Sequence, residues 1–452
     1  MSQSTPGAPR TSLFYGWWMV WLGGFLSSLI KTGINKGFPV FVAPVREGFG
    51  ASNAAVAFIF SLARAQSGPT GLLAGWFIDR FGPRRAVLVG ALLSGGGFLA
   101  LGSTTSLWAF GVLYLLVVTT GANLGFSYAL ATLINNWFYR RKAFAMSAFQ
   151  AVDSFVPAVL VGVIALAIAA WGWQTTATVT GLVLLMVIVP LSFCLTDAPE
   201  RLGLTMDGDP PGGAQDPVRP AMARRHRWVA PAWRPPEEYS LGQTLRSWVF
   251  WHLTVGTALR RMSEAGVTVH IVPIMASKGV SEQTAAFLFG LQLFVTVPLY
   301  LVLGWAADRF SKPSVLMGAS LAGTVSFALL ASPYQGRGLL LAFVCLFAIC
   351  DASAPTNWAV VGEYFGRKTF SRLQGYIQFA NFPGVLCAPV FLGWWYDHHH
   401  SYALPLWLYT GVSLVGALTF AVLQRPPSAA PVPGGEPLPP PTTAAGSPQA
   451  SD

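Results

Sequence analysis

Five basic side chains stand in stretches that are otherwise apolar: Lys31 and Lys36 in LSSLIKTGINKGF, Arg64 in SLARAQSGP, and Arg260 and Arg261 in TALRRMSEAG. A cation kept where water is scarce costs from about 2.5 to more than 10 kcal/mol, so it is held there by a partner or for a task. A guanidinium stays charged and matches a carboxylate with two parallel hydrogen bonds. Arg64 and Arg260 therefore lead as ligands for an anion, with Arg261 and Lys31 behind them and Lys36 nearer a span end. The same runs hold groups that could take and give up a proton: Glu264, His270, Asp351 and Asp153. Burial or a neighbouring arginine moves the proton affinity of such groups as their surroundings change. Glu264 is best placed, four residues after Arg260 and three after Arg261, although a local ion pair could neutralise one of the two. Asp153 and Asp351 serve equally well as structural partners of helix ends or of Arg64, and His270 as a hydrogen-bonded interfacial residue. Asn123 and Tyr128, in GANLGFSYA, are neutral candidates. Five residues apart on an α-helix they fall on different faces, so at most one is expected to point into a cavity. The run His398 to His400 lacks the constellation of a metal site, and no nucleophile–base pair or phosphate-binding loop occurs. No metal, cofactor or enzymatic activity is expected.

The elements that must position these groups follow from composition. Across 452 residues, 53% are hydrophobic and 10% charged, with mean hydropathy +0.52; a soluble chain carries about 25% charged residues. A hydrocarbon core about 30 Å thick needs about 20 apolar residues per helical span. Barrel-type alternation is absent, so the spans are helices. The expectation is an all-α membrane protein with twelve transmembrane helices in two six-helix halves, residues 14–195 and 246–425. A tail (1–13), a Pro- and Arg-rich central loop (196–245) and a disordered Pro/Ala/Gly tail (426–452) complete the chain. Outside the spans every Lys and Arg lies in the tails, the central loop or alternate loops, except Arg46, Lys278 and Arg337. That bias orients both termini toward the cytoplasm, and it accounts for the net charge of +10 without invoking nucleic acid. The four cysteines lie in apolar runs and read as reduced core residues.

Two loops are written twice. GWFIDRFGPRR, Gly75 to Arg85, returns as GWAADRFSKP, Gly304 to Pro313. NNWFYRRKAFAMSAFQAV is echoed by GEYFGRKTFSRLQGYIQFA. Two echoes in register describe two parallel halves.

These repeats resemble the major facilitator superfamily. The pattern Gly-x-x-x-Asp-Arg-x-Gly-x-Arg-Arg is met by Gly75, Asp79, Arg80, Gly82, Arg84 and Arg85, and more weakly by Gly304, Asp308 and Arg309, with Ser311 in place of a glycine. The resemblance implies a cytoplasmic gate built from Gly75, Asp79, Arg80, Gly82, Arg84, Arg85, Asp308 and Arg309. YGWWMVWLGGFL, GFPVFVAPVREGFGAS and HIVPIMASKGVSEQTAAF are similar to the monocarboxylate and oxalate/formate branch. Many members of that branch carry an arginine in the eighth helix; AAFLFGLQLFVTVPLYLVLG has no charge. The implied activity is secondary transport of a small organic anion, such as a monocarboxylate, by alternating access at the cell membrane. Coupling would be to protons or to anion exchange, by a monomer embedded in lipid. Export of amphipathic compounds and a transporter-like receptor are the alternatives.

Overall fold

The computed structural model describes residues 14–36, 38–51, 55–56, 58–59, 62–63, 66–208 and 239–424. Arg64, both tails and most of the central loop lie outside them. The first half begins with α1, Tyr15–Lys31, which continues through a π-helical turn, Thr32–Lys36, into Phe38–Phe49. Then come α2 (Ser67–Phe81), α3 (Pro83–Leu101) and α4 (Leu107–Trp137). One helical stretch, Lys142–Ser192, breaks at Gly172, whose φ of 78° suits a residue without Cβ, and so makes α5 (142–171) and α6 (173–192). In the second half, α7 (Trp248–Val269) ends at His270 and is followed by Ile271–Ala276. After it run α8 (Glu282–Arg309), α9 (Lys312–Ala331), α10 (Arg337–Phe365), α11 (Phe370–His399) and α12 (Ala403–Val422).

Eight helical stretches among the described residues are long and apolar enough to cross a bilayer, the broken one included. The others fall short for visible reasons. The first stretch of α1 is 17 residues long, α2 is described only in part, and α7 carries Arg260, Arg261 and Glu264. Together they make the two-halved helical fold.

The two halves meet along two seams on the face that carries the doubled loop, called here the motif face. In one, α2 lies on α11, and glycines on both helices bring the backbones together. A Cβ at Gly75 would sit 2.8 Å from the Arg372 Cα, and Gly71 and Gly375 lie directly against each other. In the other, α5 runs antiparallel to α8: Phe144 and Ser147 lie against Gly304, and Ala151 packs with Tyr300. The largest core cluster runs through both halves here, joining Trp137, Phe138 and Met146 to Phe250, Phe365 and Phe370. Toward the opposite face the second half has a separate core around Ile274, Phe343 and Tyr409. The halves are therefore fused at the motif face and built on separate cores beyond it.

The start of the central loop is ordered. Asp197 accepts from the Arg84 N–H (2.7 Å) at the start of α3, and Asp207 accepts from the Tyr139 and Arg140 N–H groups (3.1 and 2.8 Å). Acids at orphan backbone donors hold this piece down. A short helix, Leu241–Arg246, leads into α7 behind a Ser240–Gln243 capping box.

Candidate functional site

Most of the charged groups singled out in the sequence converge on one level. Lys31, Asp153, Arg261, Glu264 and Asp351 lie roughly 14–24 Å along their helices from the motif face, at about 1.5 Å rise per residue. Lys31 on α1 donates to Asp153 Oδ2 on α5 at 2.6 Å, and Gln150 donates to the same oxygen at 2.8 Å. Asp153 is 2% exposed, and its Oδ1 has no hydrogen-bond partner among the described residues. On α7, Arg260 and Glu264 form a buried ion pair, and Arg261 joins it through Glu264 Oε2 at 3.2 Å. Cys350 on α10 lies 3.4 Å from Glu264 Oε1, and its carbonyl faces Arg260 at 3.4 Å. Between the two groups stands Tyr300 of α8, 7% exposed, packed with Ala151 of α5 and Ala352 of α10. The belt thus passes through α1, α5, α8, α10 and α7, and crosses from one half to the other at Tyr300.

The two neighbouring arginines have different surroundings. Arg260 is 2% exposed and committed to Glu264, with its Nε unpartnered among the described residues; the Arg261 side chain is 41% exposed. Helical periodicity does this, since consecutive residues are turned by about 100° on the helix. Arg261, not Arg260, is the guanidinium that a solute could reach. Arg64 falls outside the described residues, and so do details of the Lys36 side chain. Asp153, which the sequence offered as a partner for Arg64, is held by Lys31. His270 stands at the end of α7 with its Nε2 3.0 Å from the Pro389 carbonyl, away from the belt.

Asn123 and Tyr128 correct an expectation. Both turn toward α2: Asn123 donates to Thr70 Oγ1 at 3.2 Å, and Tyr128 to the Ser67 carbonyl at 2.6 Å. The segment Asn123–Tyr128 is π-helical, and an i to i+5 repeat returns residues five apart to one face. Tyr128, 2% exposed, is wedged at the α2–α11 seam beside Gly71 and Gln378. It is a strut between helices.

At the motif face each copy of the doubled loop meets the start of a helix in the other half. Asp79 on α2 takes the Arg372 guanidinium at 2.6 Å and the Ser371 hydroxyl at the start of α11. Asp308 on α8 accepts from the Ala143 and Phe144 N–H groups (3.0 and 2.9 Å) at the start of α5. Gly75 allows the first approach, and Gly82, with φ 86°, turns the chain into α3. Arg309 lies over the Trp305 ring and Arg84 over Phe193. Arg80 and Arg85 are exposed and make no ion pair among the described residues. Arg367 adds a third bridge, donating to the Asn136 carbonyl and to Glu200 at 3.0 Å each.

Sequence reasoning missed Tyr300, Arg372 and Arg367. A signal for the first was present: Gln292, Thr296 and Tyr300 recur every fourth residue in a helix without charge, and all three are buried.

A family model of the Major Facilitator Superfamily matches residues 20–259 and 253–449. The chain belongs to the major facilitator superfamily. Monocarboxylate transporter 12 of Rattus norvegicus is 25% identical over 407 residues, covering 86% of this chain and 81% of its own. The oxalate:formate antiporter of Oxalobacter formigenes is 32% identical over 133 residues, 28% of this chain and 30% of its own. Both lie in the branch that the opening stretches resemble. Among solved structures, the FucP transporter in its outward conformation superposes with TM-score 0.62 at 14% identity, covering 92% of this chain and 98% of that one. The human organic anion transporter MFSD10 gives 0.63 at 13%, covering 89% and 98%. At such identities these two speak for the fold alone. The protein is a membrane transporter, not an enzyme.

Proposed function

We propose that this transporter carries a small organic anion, most simply a monocarboxylate, across the cell membrane by alternating access, with a proton as the coupled ion. The motif face is cytoplasmic, as the loop charges direct, and the two seams there are the gate that opens and closes. The observation that supports the cargo is the unequal pair on α7. Glu264 is one carboxylate shared by two guanidinium groups, and Arg261 is both the more exposed and the more loosely held. A cargo carboxylate can replace Glu264 on Arg261 without uncovering Arg260. The observation that supports a proton is Asp153, buried and, among the described residues, paired through one oxygen only. The relatives named as transporters of monocarboxylates, and of oxalate and formate, favour the same class.

The test is uptake of labelled pyruvate, lactate, formate and oxalate into proteoliposomes, with and without an imposed pH gradient. Arg261→Ala is expected to lower uptake efficiency about 10- to 100-fold, the value of a charge-assisted contact, at an unchanged melting temperature. Arg260→Ala is expected to lower the melting temperature as well, because it strands a buried carboxylate. Arg64→Ala tests the remaining candidate. Uptake by Arg261→Ala at wild-type affinity would remove the anion site, and flux indifferent to the pH gradient would leave exchange as the coupling.

A further inference from the structure

Glu264 is the carboxylate on which the anion site turns, and nothing in its own side chain says which way its two oxygens face. The last torsion of a glutamate is broad, so the orientation is set by the groups that the carboxylate meets. Oε2 meets Arg261 at 3.2 Å, and Oε1 meets Arg260 together with the Cys350 sulfur at 3.4 Å. Cys350 reaches this point through an interruption in α10. Pro355 has no N–H, and its ring crowds the carbonyl four residues before it; the helix breaks at Ser353, between Arg337–Ala352 and Ala354–Phe365. Ser353 then turns back on the Cys350 carbonyl, through its N–H at 3.1 Å and its hydroxyl at 2.7 Å, and the same carbonyl faces Arg260 at 3.4 Å. Gly323 of α9 makes room for the sulfur, since a Cβ there would stand 2.5 Å from it. Cys350 and Glu264 are both buried, while Cys194, Cys345 and Cys387 are exposed. One thiol of four is thus built into the charged belt, where little water competes for its weak S–H donor.

We propose that Cys350 is a positioning residue for Glu264. Its S–H, with Arg260, pins Oε1 and leaves only Oε2 to hold Arg261, so that an incoming carboxylate has a single hydrogen bond to displace. The inference rests on the reading of Arg261 as the cargo contact. Without the thiol, Glu264 is short of a donor and free to turn both oxygens toward a guanidinium, and a carboxylate held by two parallel bonds is harder to displace. The thiol therefore sets how strongly the protein's own acid competes with the cargo. It touches no cargo and undergoes no chemistry itself.

The experiment pairs infrared spectroscopy of the S–H stretch with pyruvate uptake, both on the full-length protein. In the purified protein without cargo, one S–H band should lie at lower wavenumber than the other three, the mark of a thiol donating to a carboxylate, and it should vanish in Cys350→Ala. Arg261→Ala should move that band lower still, because Glu264 has lost a competing partner. In proteoliposomes, Cys350→Ala is expected to raise the apparent KM for pyruvate about three- to ten-fold, the value of one hydrogen bond, with the maximal rate unchanged. Cys350→Ser restores a donor and is expected to keep the KM near that of the wild type. In an Arg261→Ala background, Cys350→Ala should change the KM no further, which a packing defect would not predict. A Cys350 band at the position of the other three thiols overturns the proposal, and so does a KM that rises equally in Cys350→Ala and Cys350→Ser. Absence of pyruvate uptake in the wild type would instead defeat the cargo assignment, and the infrared bands alone would then decide whether the thiol holds Glu264.

Discussion

The two seams are built from the same repeated loop and hold by different chemistry. At α2–α11 the aspartate of the first copy, Asp79, is met by side chains, the Arg372 guanidinium and the Ser371 hydroxyl, while glycines press backbone to backbone. At α5–α8 the aspartate of the second copy, Asp308, is met by backbone, the Ala143 and Phe144 N–H groups, while the packing beneath it runs through side chains, Ser147 and Tyr300. Polar and steric roles have traded places between backbone and side chain. A contact made by backbone survives substitution of its residue, and one made by a side chain does not. The two seams should therefore fail under different mutations.

The largest effect is expected from crowding the glycines. Gly75→Ala would place a Cβ against the Arg372 Cα and the Ser371 carbonyl, both 2.8 Å away, and no truncation of a side chain relieves a clash with backbone. Pyruvate uptake should fall by about ten-fold or more, the equivalent of 1.4 kcal/mol or greater, and Ser371→Gly should not restore it. Gly304→Ala meets Ser147 Cβ and Oγ at 2.6 Å and, less tightly, the Phe144 Cα at 3.0 Å; Ser147→Gly should return part of the lost rate. Equal rescue at both seams would erase the distinction.

Removing the backbone-capping acid comes next. Asp308→Ala is expected to destabilise the detergent-solubilised protein by about 1–2 kcal/mol, the usual value of an N-terminal helix cap, and substitution of Ala143 or Phe144, whose backbone N–H groups it accepts from, should not reproduce the loss. The smallest effect is expected at the other aspartate. Arg372 is 41% exposed, so a double-mutant cycle between Asp79→Ala and Arg372→Ala should give a coupling of about 0.5–1 kcal/mol. Coupling well above that range would mean that this pair, and not the glycine packing, holds α2 to α11.

Much of the architecture was legible before any coordinates. Runs of about twenty apolar residues can only be helices in lipid, the doubled Gly-Trp…Asp-Arg-Phe loop marks two related halves, and Lys and Arg in alternate loops mark a face. The candidate site was legible as a set of residue types at a common depth. What failed was facing. Asn123 and Tyr128 were placed on different sides by a 3.6-residue period, and a π-helical turn put them on one. Tyr300 was overlooked because an uncharged residue in an apolar helix carries no mark of its own.

By itself the sequence determined which groups would be forced to find partners, because a charge in oil is costly wherever it points. Only the tertiary structure decided who those partners are. Lys31 and Asp153 stand 122 positions apart, and Arg260 and Arg261 are chain neighbours, one sealed and the other open. Pairing depends on which faces of separate helices are pressed together, and that is settled by glycines, bulges and seams acting jointly, a property no local stretch of chain contains.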